Sequence, residues 1–135
     1  MKKMNFKSGI LAALTVLLSI SLLYSCDKDD NNVSTYPKNV KIAYSITSKS
    51  KDIKMGKLTF TDSTGKDSVQ TNGQVPFNKS VPRLISKQGE KAKLAFASAG
   101  NGEITLEIKV DEKVVKTESF KSAADSLKGS IEYIF

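Results

Sequence analysis

No histidine and no tryptophan occur in the 135 residues, and cysteine and arginine occur once each, as Cys26 and Arg83. Without histidine, Ser-His-Asp and Cys-His nucleophilic chemistry falls away, and imidazole metal sites with it. A single cysteine excludes an internal disulfide, so cohesion has to come from a packed core. Readers of nucleic acid concentrate basic residues on one face and interleave arginines and stacking aromatics. Here 21 Lys and Arg stand against 14 Asp and Glu, but the positive charges are scattered as single lysines. Nucleic acid is therefore not an expected partner.

The charge is unevenly placed. Residues 1–25 carry Lys2, Lys3 and Lys7 and no acid, whereas residues 31–135 hold 17 basic and 11 acidic side chains, a net +6. Between them the run Asp27-Lys28-Asp29-Asp30 is acidic. A chain of this length suits one domain once a targeting segment is set aside.

Met1 to Lys7 is short and basic, Ile10 to Leu23 is apolar apart from Thr15, Ser19 and Ser21, and the small Ser25 precedes Cys26. Basic start, apolar middle and small-residue boundary are the parts of a secretory signal peptide. The alternative is a transmembrane helix. Gly9 to Ser25 sits at the lower limit of length for a bilayer core and has no basic stop after it.

Leu23-Tyr24-Ser25-Cys26 resembles the lipobox of bacterial lipoproteins. That resemblance implies cleavage between Ser25 and Cys26 and lipidation of Cys26, including palmitate-type acylation. A buried thiol fits poorly, because Asp27 to Asn32 offers nothing apolar to bury beside it. Each buried methylene contributes about 0.8 kcal/mol, so two or three acyl chains anchor durably where one holds weakly. The expected organisation is a signal peptide over 1–25, lipidated cysteine and acidic disordered linker over 26–38, and a domain over 39–135. Asp27, Lys28, Asp29 and Asp30 also resemble the export signal that sends Bacteroidota lipoproteins to the cell surface. Outer-membrane surface display is the expected address, and a periplasm-facing position is the alternative.

From Val33 onward period-two alternation dominates. Val40, Ile42, Tyr44 and Ile46 form one apolar row, followed by Leu58 with Phe60, Ala92 with Leu94 and Phe96, Ile104 with Leu106, Ile108 and Val110, and Ile131 with Tyr133 and Phe135. Such rows mark strands with one buried face. Asp62 to Gly65, Thr71 to Gly73, Gln88-Gly89 and Gly100 to Gly102 break them at turn spacing. The prediction is an all-β fold: a single antiparallel β-sandwich, immunoglobulin-like or transthyretin-like, of about seven strands. Ser122 or Asp125 is a candidate cap for one helical turn at Ala123-Ala124.

Asp111-Glu112 occupies a two-residue hairpin slot where both positions favour positive φ. Glutamate suits that slot poorly, so a longer loop is expected. Asp111 and Glu112 with Glu103 or Glu107 offer the carboxylate oxygens that a hard cation takes. Their spacing lacks the density of a calcium loop, and solvated strand ends are the expected reading. No metal and no cofactor is expected.

"AYSIT" (Ala43 to Thr47), "LTFTDSTG" (Leu58 to Gly65), "VPFNKS" (Val75 to Ser80) and "KVDEKVVK" (Lys109 to Lys116) occur in the order and spacing of the MmpS-like β-sandwich domains. The chain resembles that family over Val40 to Phe135, with Phe77 at the family's tryptophan position and Glu112 at its hairpin glycine. The resemblance implies a membrane-anchored accessory module associated with transport.

Three function classes remain. Catalysis lacks a constellation, since only chance carboxylate pairs or a serine with a lysine are left, and the expectation is a protein that is not an enzyme. Glycan binding needs flat exposed aromatics, for which Tyr36, Tyr44, Phe77 and Tyr133 are the candidates; a surface glycan-binding lipoprotein is the alternative. Tyr44 and Tyr133 read as core and Tyr36 as a staple at the domain entrance. The remaining class, an accessory module for an envelope protein partner, is the expected one. Lys51, Lys54, Lys57, Lys87, Lys91 and Lys93 read either as a basic patch or as edge guards against strand pairing. Val114-Val115 breaks alternation and is expected to expose one valine.

Overall fold

The structure, a computed structural model, describes residues 35–50 and 53–135. Thr35–Phe135 forms one compact unit. Its described residues contain eight strands: β1 (Lys38–Ser48), β2 (Lys54–Thr61), β3 (Asp67–Thr71), β4 (Phe77–Ile85), β5 (Lys91–Ala99), β6 (Gly102–Val110), β7 (Lys113–Ser122) and β8 (Ser126–Ile134). They pair antiparallel in two four-stranded sheets, ordered β4-β1-β6-β7 and β3-β2-β5-β8. The all-β sandwich is as the alternation predicts, with eight strands rather than about seven. Five of the seven connections pass from one sheet to the other; only β2–β3 and β6–β7 are hairpins within a sheet.

Period two does the sorting. Ile42, Tyr44 and Ile46 of β1 and Ile104, Leu106 and Ile108 of β6 face Leu58 and Phe60 of β2 and Ala92, Leu94 and Phe96 of β5, all buried between the layers. A fully buried aliphatic or aromatic side chain contributes about 1.5–3 kcal/mol over an exposed one. These four central strands therefore carry most of the cohesion. Tyr44 is 1% exposed, and its hydroxyl donates to the Thr61 carbonyl at 2.8 Å. That bond satisfies the one polar atom its burial would otherwise orphan.

Two strands escape a reading by alternation. In β3, Ser68 and Gln70 share the face of Leu58 and Phe60, while Val69, paired with Thr59, turns outward and is 53% exposed. In β4 the inward row is Val81, Arg83 and Ile85, with Leu84 outward. Both are edge strands. Pro82 sits in β4 opposite Lys41, whose N–H donates to Asp111 Oδ1 on the other side. The missing N–H of Pro82 thus faces the open edge, where proline is tolerated.

The Asp111-Glu112 turn corrects the expectation of a longer loop. Val110 pairs with Lys113, and the two intervening residues have φ of 48° and 70°, the signature of a type I′ hairpin. Asp111 compensates through its neighbours: its N–H donates to the Lys41 carbonyl at 2.9 Å and its Oδ1 accepts from the Lys41 N–H at 2.8 Å. The turn extends the β1–β6 ladder, and the Asp111 carboxylate adds a hydrogen bond that glycine at 111 would not supply. Glu112 makes no such contact. Next to it β7 bulges between its pairings at Lys116 and Val114, turning Val115 toward the core and leaving Val114 52% exposed, the single exposed valine expected. No helical turn forms at Ala123-Ala124; the Ser122 hydroxyl accepts the Ala124 N–H in a bend.

Gly129 of β8 lies under the contact of Phe96 with Phe120, whose ring centroids are 5.8 Å apart. A Cβ there would stand 2.7 Å from both rings. Gly129→Ala is expected to cost about 1–3 kcal/mol of stability by overpacking. Glu112→Gly should gain about 0.5–1 kcal/mol by relieving a left-handed glutamate. Urea unfolding of each variant checks both signs.

Candidate functional site

Polar side chains from both sheets converge around Arg83. Arg83 leaves the inward face of β4 among Val81 and Ile85, and is 6% exposed. Nη1 donates to the Lys91 carbonyl at the start of β5 at 2.6 Å, and Nη2 donates to Glu90 Oε2 at 2.8 Å. One arginine therefore bridges the two sheets. Glu90 in turn organises the β4–β5 loop, its Oε1 accepting from the backbone N–H groups of Ser86 at 2.8 Å and Lys87 at 3.3 Å. Phe135 closes the same region, donating to the Glu90 carbonyl and accepting from the Gly89 N–H.

The β2–β3 turn covers the guanidinium. Asp62 Oδ1 accepts from Thr64 N at 2.8 Å, Thr64 Oγ1 at 2.6 Å and Lys66 N at 3.2 Å, which folds the turn back on itself. Gly65 then approaches so closely that a Cβ would lie 2.9 Å from Arg83 Nη2, at a φ of 81° that favours glycine. Around this point Thr61, Thr64, Asp67, Lys91, Lys93 and Glu132 line a cleft of about 480 Å³.

The cleft is balanced in charge. Lys91 pairs with Glu132 at 3.2 Å and Lys93 with Asp67 at 3.7 Å, both across solvent-exposed side chains, while Arg83 is taken by Glu90. Hydrogen bonds from the Ser86 N–H first, then from Lys87 and Arg83, hold the Glu90 carboxyl below its usual range, and the Thr64 hydroxyl does the same for Asp62. Burial pushes the Tyr44 phenol up to about 12. None of these shifts brings a group toward the neutral values that general acid–base work needs. The arrangement is an ionic clasp between two layers.

The residues singled out in the sequence fall as follows. Ser25, Cys26 and Asp27 to Asp30 lie outside the described residues, as does Lys51. Tyr44 is core, and Tyr36, Phe77 and Tyr133 are half-buried and packed against it. Lys38 Nζ stands 4.9 Å from the Tyr36 ring centroid, and Phe77 stacks obliquely on Phe60 at 5.9 Å. Every described aromatic ring is buried or half-buried, so no flat exposed platform of the kind sugars use is formed.

Lys57, Lys91 and Lys93 lie on β2 and β5, interior strands of their sheet, so the edge-guard reading does not apply to them. They project from its solvent face. Lys54 lies on the part of β2 that extends past β3, and Lys87 in the β4–β5 loop. Of the acids weighed for a cation, Glu103 is held by Lys49 at 2.9 Å and Lys121 at 3.3 Å, Glu107 by Lys109 at 3.1 Å, and Asp111 by the Lys41 backbone. Among the described residues no three His, Cys, Asp or Glu side chains converge as a metal site.

Alternation alone does not reveal the clasp. Its signal was present, since Arg83 is the chain's sole arginine and falls between Val81 and Ile85 at inward spacing. Compared with known protein families and with curated proteins, the chain matches none.

Replacing Arg83 with Met should cost about 1–3 kcal/mol in chemical denaturation, because the Lys91 carbonyl and Glu90 lose a buried donor. The carboxyls of Glu90, Asp62 and Glu103 sit below their ordinary values in the folded state. Their stabilisation is therefore complete above the unfolded carboxylate range and is lost as pH falls through and below it. A flat acid limb of stability against pH between neutral pH and pH 3 would contradict this, and Glu90→Gln should shallow the limb.

Proposed function

We propose that the chain is a lipoprotein whose β-sandwich is held at the bacterial outer membrane by acyl chains on Cys26 and displayed at the cell surface. The domain serves there as a non-enzymatic accessory module for an envelope partner, in keeping with its resemblance to the membrane-anchored MmpS-like domains. The observation that carries the reading is Leu23-Tyr24-Ser25-Cys26 between an apolar run and an acidic one. A thiol at that boundary has a use as an attachment point and none in a core.

The domain's character supports this role. Its polar cleft spends its charges on one another, with Arg83 closed off by Glu90 and Lys91. Its aromatic rings are committed to packing, which favours an accessory role over glycan binding. The solvent faces of the sheets combine short polar side chains and lysines with the exposed Val69, Leu84, Val114 and Ile134, a surface suited to protein contact.

Cys26→Ala should leave an uncleaved precursor without acyl mass and abolish retention by acylation; mass spectrometry of the wild-type terminus must show cleavage before Cys26 and added lipid. An intact leader on the wild-type chain would refute the anchor. Deleting Lys28 to Asp30 should reduce cleavage by protease added to intact cells, whereas unchanged shaving would refute surface export through that run. Binding to a glycan array that Tyr36→Ala abolishes would favour the sugar-binding alternative.

A further inference from the structure

The four edge strands are not equivalent. β3 is five residues long, β4 carries Lys79 and Pro82, and β7 carries a bulge with Lys113, Lys116 and Lys121. Shortness, proline, bulges and lysines are the devices that keep an edge from pairing. β8 has nine residues in unbroken register with β5 from Ser126 to Ile134, no proline and no bulge. Among the described residues its other side has no strand partner.

The hydrogen bonds at its two ends show which backbone groups are available. Phe135 donates to the Glu90 carbonyl and accepts from the Gly89 N–H, and the Asp125 carbonyl accepts from the Gly100 N–H, so these odd-numbered residues turn inward toward the sheet. Counting by twos, the N–H and C=O groups of Ser126, Lys128, Ser130, Glu132 and Ile134 point to the open edge. The same five residues carry their side chains on the solvent face, since Leu127 and Ile131 are buried.

We propose that β8 is a homodimerisation edge, pairing antiparallel with β8 of a second copy about a two-fold axis at Ser130. This interface is independent of the lipid anchor. A two-fold contact must be self-complementary, and this strand is so in one register. With Ser130 opposite the partner's Ser130, Lys128 faces the partner's Glu132 and Glu132 faces the partner's Lys128. Ser126 then lies opposite the partner's Ile134, which covers part of an Ile134 side chain that is 58% exposed in the single chain. All five outward-turned residues join hydrogen-bonded pairs, and the two sheets become one of eight strands. Shifting the register by two residues in either direction removes both opposite-charge pairs and shortens the ladder. Glu132 already meets Lys91 at 3.2 Å, an exposed contact that leaves its second oxygen for Lys128 of the other copy.

The test uses the full chain purified from membranes in detergent, in variants that keep the fold by circular dichroism. Ser130→Cys should give a disulfide-linked dimer on mild oxidation, because Cα atoms of a hydrogen-bonded antiparallel pair lie about 5.5 Å apart, within disulfide reach. Ser45→Cys on the opposite sheet, and the parent chain with Cys26 alone, set the background. Ser130→Pro removes an N–H that the β5 pairing does not use, and should weaken dimerisation at least about tenfold in sedimentation equilibrium. Lys128→Glu and Glu132→Lys should each weaken it by about tenfold, and the double exchange should restore it. A parent chain that sediments as a monomer, equal oxidation of Ser130→Cys and Ser45→Cys, or failure of the double exchange to restore association would overturn the proposal. Whether Cys26 bears lipid is read separately from mass, so loss of the anchor and loss of the dimer are distinguishable outcomes.

Discussion

Everything in this domain depends on removing two facing sets of apolar rows from water, those of β1 and β6 on one layer and of β2 and β5 on the other. No disulfide assists them, because the sequence offers only one cysteine. The remaining strands border this core. β3 adds little apolar area, β4 contributes Val81 and Ile85, and β7 and β8 meet over Phe120 and Gly129. The stability of the unit therefore concentrates at its centre and thins toward its sides.

That gradient explains what was legible in the sequence and what was not. Strands whose faces divide cleanly into apolar and polar, such as Ile104-Thr105-Leu106-Glu107-Ile108, announce themselves because core and water lie on opposite sides. Edge strands obey other demands. Ser68 and Gln70 occupy the inward side of β3 beyond the reach of the opposite layer, so no apolar row was selected there. In β4 the inward row is interrupted by Arg83, whose charge is met by Glu90 in a pairing that the fold closes and that spacing alone does not show.

Local rules also yielded to tertiary context at Asp111-Glu112. The preference for glycine at positive φ argued against a two-residue turn, yet the ladder between β1 and β6 recovers hydrogen bonds through the Asp111 backbone and carboxylate that offset the strain. The lysines show the same limit from another side. Spacing alone reads Lys54, Lys57, Lys87, Lys91 and Lys93 alike, and only sheet order places Lys57, Lys91 and Lys93 on interior strands. The anchor proposed at Cys26 is the reverse case: it is argued from contiguous residues and calls on no folded neighbour.

The path of the chain has a kinetic consequence. With five of seven links changing layer, neither sheet can be assembled from consecutive sequence, and β1 must wait for β4 and β6 while β5 waits for β8. Closing such distant pairs costs loop entropy before burial repays it, which places the domain among slow, highly cooperative folders in the millisecond-to-second class.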